Sequence, residues 1–113
     1  MSIDPFARVR LGRSSVEVRR FGLGMAALSG LFREVSDEAA AVVLDRAWEI
    51  GVRYYDTAPL YGYGLGEQRL GRLLRAQARD SFTVSSKVGR LLYSIEAIEA
   101  DPSLEPDRPA VDI

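Results

Sequence analysis

The chain contains no cysteine and no histidine. Without thiols there are neither disulfides nor thiolate metal sites, and nothing points to an oxidising compartment, so a cytoplasmic location is expected. Without imidazole the commonest metal ligand and the commonest base near neutral pH are both missing. No metal site is expected, and any acid-base chemistry falls to Asp, Glu, Tyr or Lys. No apolar run approaches the roughly 18 residues of a membrane span, and the opening MSIDPFARVR lacks the charged-then-apolar pattern of a secretion signal. An excess of one charge is also lacking. Fifteen Lys and Arg against sixteen Asp and Glu give a formal charge of −1, which offers no long-range attraction to nucleic acid or to an anionic membrane. Neither is expected as a partner.

What is present suits one globular unit: 113 residues, of which 47% are hydrophobic. The charge is unevenly spread. Residues 94–113 hold six acids and the single base Arg108, leaving fourteen bases and ten acids in the first 93 residues.

Along the chain, VRLGRSSVEVR (9–19) alternates apolar and polar residues around Gly12-Arg13-Ser14-Ser15, which predicts a β-hairpin. FGLGMAAL (21–28) is apolar and too short for a helix, as a first buried strand would be. Ser36 offers an N-cap, with Asp37 and Glu38 placed to suit the helix dipole. From there Ala40, Val43, Leu44, Ala47 and Trp48 recur at helical spacing, Arg46, Glu49 and Arg53 mark the wet side, and Gly51 ends the helix. Trp48 reads as core packing rather than as a ligand-stacking ring.

VRYYD (52–56) is β-branched and aromatic and reads as a second strand ending at Asp56. After the turn-rich TAPLYGYGLG, residues 67–78 place Leu70, Leu73 and Leu74 on one helical face with Arg69, Arg72 and Arg75 elsewhere. FTVSSKVG (82–89) reads as a third strand. A hairpin followed by β-α-β-α-β implies an α/β fold with parallel strands and right-handed crossovers. Residues 93–113, acidic and containing Pro102, Pro106 and Pro109, read as a solvated loop or disordered tail beyond a unit of residues 1–92.

In parallel α/β folds ligands bind at the carboxyl ends of the strands. Three polar residues fall there: Asp56 at the end of the second strand, Tyr61 in the loop after it, and Lys87 near the end of the third. Lys87 is the only lysine, against fourteen arginines, so this sequence builds its surface positive charge from arginine. A compact ammonium fits a tight pocket where a planar guanidinium does not. Asp56 would stabilise that ammonium, and an ammonium beside Tyr61 would favour the phenolate, as acid-base work requires. The same residues also allow a purely structural reading, with Asp56 and Lys87 as an ion pair and Tyr61 as a loop anchor.

The stretches LGRSSVEVRRFGLGMAAL, YYDTAPLYGYGLGEQRLGRLL and SSKVG resemble the aldo-keto reductases over roughly residues 9–92. That resemblance implies a partial (β/α)8 TIM barrel, with NADP or NAD as cofactor and a small-molecule carbonyl or sugar as substrate. It implies catalytic roles for Asp56, Tyr61 and Lys87, the first three of a tetrad whose fourth member is a histidine that this chain lacks. Tyr61 would exchange a proton with the substrate oxygen, Lys87 would assist Tyr61, and Asp56 would hold Lys87. Gly24, Met25 and Asp56 would meet the cofactor, and residues 29–36 would flank the substrate. Pro59 within DTAPLYGYG, after LSGLFREVSDEAA, looks most like the branch that oxidises aldoses such as fucose, or pyridoxal. A whole barrel takes about 250 residues. The 113 residues are therefore expected to be inactive by themselves, with the histidine and the cofactor phosphate contacts lying elsewhere.

Other readings are weaker. GLGMAA fits a G-x-G-x-x-A dinucleotide fingerprint, but the helix opens only near Ser36 and Asp56 lies too far on. Lys87 as a Schiff-base nucleophile, as in lysine-dependent aldolases, needs a lowered lysine pKa that Asp56 opposes. A non-catalytic barrel piece that acts by binding is the alternative outside enzymes.

Overall fold

The computed structural model describes residues 2–101 and residue 103. The hairpin forms as β1 (Arg8–Arg10) and β2 (Glu17–Arg19), antiparallel with Val9 opposite Val18. Gly12 at φ 56° and the Ser14 hydroxyl, which donates to the Leu11 carbonyl at 2.7 Å, close its turn. Only Val18 of the two strands is buried. The Thr83 hydroxyl donates to the Glu17 carbonyl at 3.2 Å, and Phe6 packs where a side chain on Gly51 would stand, so the hairpin covers the amino end of the main sheet.

That sheet has three parallel strands in the order β3 (Leu23–Gly24), β4 (Tyr54–Asp56) and β5 (Thr83–Ser85). In register, Leu23 pairs with Tyr55, Gly24 with Asp56, Tyr55 with Val84 and Asp56 with Ser85. Two helices cross between the strands: α1 (Asp37–Glu49), whose first turn is capped by the Ser36 hydroxyl, and α2 (Leu65–Leu74). They lie against one sheet face, where Met25, Leu44, Val52, Tyr55 and Leu70 form the core. Strand alternation sends Tyr55 into that core and turns Tyr54 and Asp56 to the other face. The sheet is open. Among the described residues no further strand pairs with the outer edges of β3 and β5, and no helix is long and apolar enough to cross a membrane.

The element order is the one read from the sequence, with differences at the ends. β3 is two residues long rather than spanning 21–28, because Ala27–Ser29 wind into a 3₁₀ turn that Gly30 ends at φ 81°. α2 starts at Leu65 and stops at Leu74 instead of running over 67–78. β5 ends at Ser85, so Lys87 lies just past the strand rather than in it. Arg53 is not on the wet side: its guanidinium carbon sits 3.6 Å from the Trp48 ring centroid and Nη1 donates to the Trp48 carbonyl at 2.7 Å. Trp48 itself packs against the core and meets Phe82 edge-on, as expected of a packing residue.

Within the expected tail, Ile95–Ala100 form a short helix, α3, instead of loop. Its physical cause is Ser94, whose hydroxyl accepts from the Ala97 amide at 3.1 Å, followed by the helix formers of IEAIEA. The rest of that expectation, residue 102 and residues 104–113, falls outside the described residues.

Candidate active site

The three parallel strands deliver Gly24, Asp56 and Ser85 side by side at their carboxyl ends. The connection from β4 to α2 then folds back over this edge. The Thr57 amide donates to the Ser85 carbonyl at 2.9 Å, the Gly64 amide to the Pro59 carbonyl at 2.9 Å, and the Gly66 amide to the Tyr61 carbonyl at 3.0 Å. Gly62 at φ 63° and Tyr63 at φ 51° turn the chain left-handed within this loop. A non-glycine residue in that region is strained, and such strain concentrates at functional sites. Tyr61 is thereby brought over the end of the sheet.

Lys87 completes the group. Its Nζ donates to Asp56 Oδ2 at 3.3 Å and to the Thr57 carbonyl at 3.1 Å, and it lies 4.9 Å from the Tyr61 ring centroid. Desolvation pulls the Lys87 pKa down. Hydrogen bonding with Tyr61 and with Asp56, together with their charges, outweighs it and holds the ammonium above its usual range. The pair is half exposed, at 52% for the lysine and 42% for the aspartate side chain, so water and counterions reach it.

Beside it opens a cavity of about 220 Å³ between Pro59, Leu60 and Tyr61 on one side and Lys87, Val88 and Arg90 on the other. Its walls are mostly apolar, with the Tyr61 and Lys87 polar atoms at hand. An apolar cleft with a few converging polar groups is the usual form of a small-molecule site.

Asp56, Tyr61 and Lys87, separated by up to 31 residues in sequence, are thus brought together as expected. Gly24 is exposed next to Asp56, with no atom within 4 Å of where a side chain would begin. Met25 is a correction. It is fully buried, and its amide is taken by the Asp56 carbonyl at 2.9 Å. It offers no surface to a cofactor and acts instead as the core support beneath the strand end.

Two contributors were not legible as such. Ser85, read only as part of a strand, donates to Asp56 Oδ1 at 2.6 Å. Its position opposite Asp56 follows from the pairing register, which the sequence does not state. Arg69, placed off the apolar face of its helix, has a guanidinium nearly withdrawn from water that donates to the Leu28 and Val35 carbonyls at 2.6 and 2.7 Å and to Asp37. It ties down the segment between β3 and α1 that borders the site.

The chain belongs to the aldo/keto reductase family, which it matches over residues 20–108. Its open parallel sheet and crossover helices are accordingly one part of a (β/α)8 barrel. It is 51% identical over 79 residues to a D-threo-aldose 1-dehydrogenase of Pseudomonas sp, covering 70% of this chain and 24% of that protein. It is 41% identical over 99 residues to a pyridoxal 4-dehydrogenase of Microbacterium luteolum, covering 88% of this chain and 29% of that protein. Among solved structures it superposes on the holo form of aldo-keto reductase AKR11C1 from Bacillus halodurans with a TM-score of 0.64 and 31% identity, over 78% of this chain and 28% of that one. The chain therefore spans only about a quarter of the length of these two dehydrogenases, 24% of one and 29% of the other.

Proposed function

We propose that the full protein is a cytoplasmic NAD(P)-dependent oxidoreductase that interconverts a carbonyl and an alcohol on a small aldehyde, ketone or sugar, with Asp56, Tyr61 and Lys87 as catalytic residues. The observation that carries this reading is the convergence of those three side chains beside the cavity at the carboxyl end of the sheet. The dehydrogenase names of the two relatives favour an aldose or a related aldehyde as substrate.

The residues present fit a flat nicotinamide ring. Gly24 leaves its backbone open to close approach, and Asp56 stands next to it in the ladder with its carboxylate partly exposed. When bound, such a cofactor supplies or accepts the hydride at the substrate carbon. The Tyr61 hydroxyl then gives a proton to the substrate oxygen in reduction and takes it in oxidation, the general acid-base role open to a tyrosine. The Lys87 ammonium neutralises negative charge developing at the Tyr61 oxygen and is itself held by Asp56 and the Thr57 carbonyl. In this reading the 113 residues alone have no activity, because the barrel's remaining strands close the site.

Two alternatives fare worse. A Schiff-base lysine needs a lowered pKa, whereas that of Lys87 is raised. A purely structural Asp56–Lys87 pair leaves its location unexplained, since an ion pair this exposed contributes little to folding. The test is turnover of the full-length protein with NAD(P) and an aldose, with Tyr61→Phe as control. That variant keeps the ring and removes the proton, and it should lower kcat by about 10²-fold or more. Near-normal turnover in Tyr61→Phe would overturn the assignment.

A further inference from the structure

Resting on that reading of the site and deepening it, we propose that Ser85 is a positioning residue, with Tyr54 behind it, fixing one carboxylate oxygen of Asp56 so that the other is presented to Lys87.

The geometry is explicit. Tyr54 and Asp56 share one face of β4, and Thr83 and Ser85 share the same face of β5, by the two-residue period of a strand. The register sets Ser85 directly against Asp56. The Ser85 hydroxyl donates to Asp56 Oδ1 at 2.6 Å, while Lys87 Nζ donates to Oδ2 at 3.3 Å. A hydroxyl has one proton, and an ionised carboxylate only accepts. The Ser85 proton is therefore committed to Asp56, and in the 3.2 Å contact between Tyr54 Oη and Ser85 Oγ the tyrosine is the donor. A directed chain results, from Tyr54 through Ser85 and Asp56 to Lys87, ending beside the Tyr61 ring. Without the serine proton, the carboxylate is free to turn about its terminal torsion, which is broad and weakly held in aspartate. Lys87, half exposed, would then share its carboxylate with water.

Asp56 and Tyr61 approach Lys87 directly, Arg90 lines the same cavity, and Glu67 of α2 accepts from the neighbouring Ser86 hydroxyl at 3.1 Å. Substitution of Ser85 by a residue without a hydroxyl leaves all of them in place, while it releases Asp56 Oδ1 and removes the acceptor of the Tyr54 hydroxyl. Opposite charge favours the ammonium, so loosening Asp56 lowers the Lys87 pKa.

The experiment uses the full-length protein with ¹³C at the lysine Cε, the Lys87 resonance being assigned by its loss in Lys87→Arg. The titration midpoint of that resonance should fall in Ser85→Val by roughly half a pH unit, a fraction of the effect of a close opposite charge. It should stay near the parent value in Ser85→Thr, which has the same shape and keeps the hydroxyl. Tyr54→Phe should move it in the same direction by less. In turnover, kcat should fall by roughly tenfold in Ser85→Val, the scale of one charge-assisted hydrogen bond. Should Ser85→Val fail to fold, Ser85→Ala carries the same expectation. A midpoint unmoved in both hydroxyl-free variants, or moved equally in Ser85→Thr, would overturn the proposal. A shifted midpoint in a protein that turns over no carbonyl substrate would support the positioning by Ser85 and count against the proposed function alone.

Discussion

Arg69 on α2 donates a 2.6 Å hydrogen bond to the carbonyl of Leu28, 41 residues earlier in the chain. The same guanidinium reaches the Val35 carbonyl and Asp37, so one side chain holds both ends of the segment between β3 and α1. That segment carries Leu31 and Phe32, both exposed, beyond the strand end where Gly24 and Asp56 meet. The border of the site is thus fastened from α2, the helix whose first turn also meets the Tyr61 carbonyl through the Gly66 amide.

Replacing Arg69 by Met should cost about 2–4 kcal/mol of stability, since two carbonyls lose charge-assisted partners. Arg69→Lys, unable to reproduce the forked geometry, should fall between. Urea unfolding midpoints measure both. Limited trypsin digestion gives a local readout, because cleavage after the exposed Arg33 should accelerate in Arg69→Met before global unfolding does. An unchanged cleavage rate would mean the segment is held by other contacts.

Gly66 offers a prediction opposite to helix propensity. Gly→Ala inside a helix normally stabilises by up to about 1 kcal/mol. Here a methyl group would run into the Ser29 hydroxyl and stand 3.1 Å from Tyr61 Cβ. Ser29 is buried and committed to the Met25 carbonyl at 2.5 Å, so it has nowhere to turn. Gly66→Ala should therefore destabilise, by roughly 1–3 kcal/mol as overpacking does, and should displace Tyr61. Adding Ser29→Ala removes the clashing oxygen, so the double variant should be more stable than the two single effects sum to. A double-mutant cycle by thermal unfolding reads that coupling.

These tight contacts mark the limit of what the sequence discloses. Helix α1 was legible almost to the residue because Ser36, the acidic first turn and the apolar spacing all act locally. The proximity of Asp56, Tyr61 and Lys87 was legible because strand ends are where polar residues of a parallel sheet gather. Ser85 and Arg69 were not, since their roles depend on partners 29 and 41 residues away that only register and helix docking bring near. Met25 was misjudged for a related reason. Lying next to the open Gly24, it points by alternation into the core rather than out of it. Arg53 deceived as a charged residue does when its stem and plane find an aromatic face, a contact that hydropathy spacing cannot register.

Tyr55 predicts an alkaline limit to stability. Burial pushes its hydroxyl up to about 12 from 10.0, a rise only partly opposed by the Arg53 charge. The neutral hydroxyl donates to the Val52 carbonyl at 2.9 Å within the core. Because the folded-state pKa lies above the unfolded one, the contribution is fully present below about pH 10 and is lost as pH rises toward 12. Tyr55→Phe should cost about 1 kcal/mol at neutral pH for the lost hydrogen bond. Between pH 10 and 12 that difference should shrink, as only the parent must hold or release the proton. Parallel stability curves for the two proteins across this range would contradict the burial argument.

Asp56→Asn separates holding Lys87 from charging it. Asparagine keeps the shape of the side chain and can still accept from Lys87, but its amide carries no charge. The Lys87 ammonium, now held above its usual range partly by hydrogen bonding and charge from Asp56, loses that support and releases its proton at lower pH. If the ammonium is the form that serves Tyr61, the alkaline limb of the kcat profile should move to lower pH in Asp56→Asn. At neutral pH kcat should fall less than in Lys87→Met, where the cation is gone at every pH. A buried, rigid pair would make the two variants equally damaging, but this pair is half exposed, and water can take over part of the carboxylate's role. The pH profile of kcat in the full-length protein decides the matter. A limb that stays in place in Asp56→Asn would mean that Lys87 titration does not govern turnover, and Asp56 would be left with a role in placing the side chain alone.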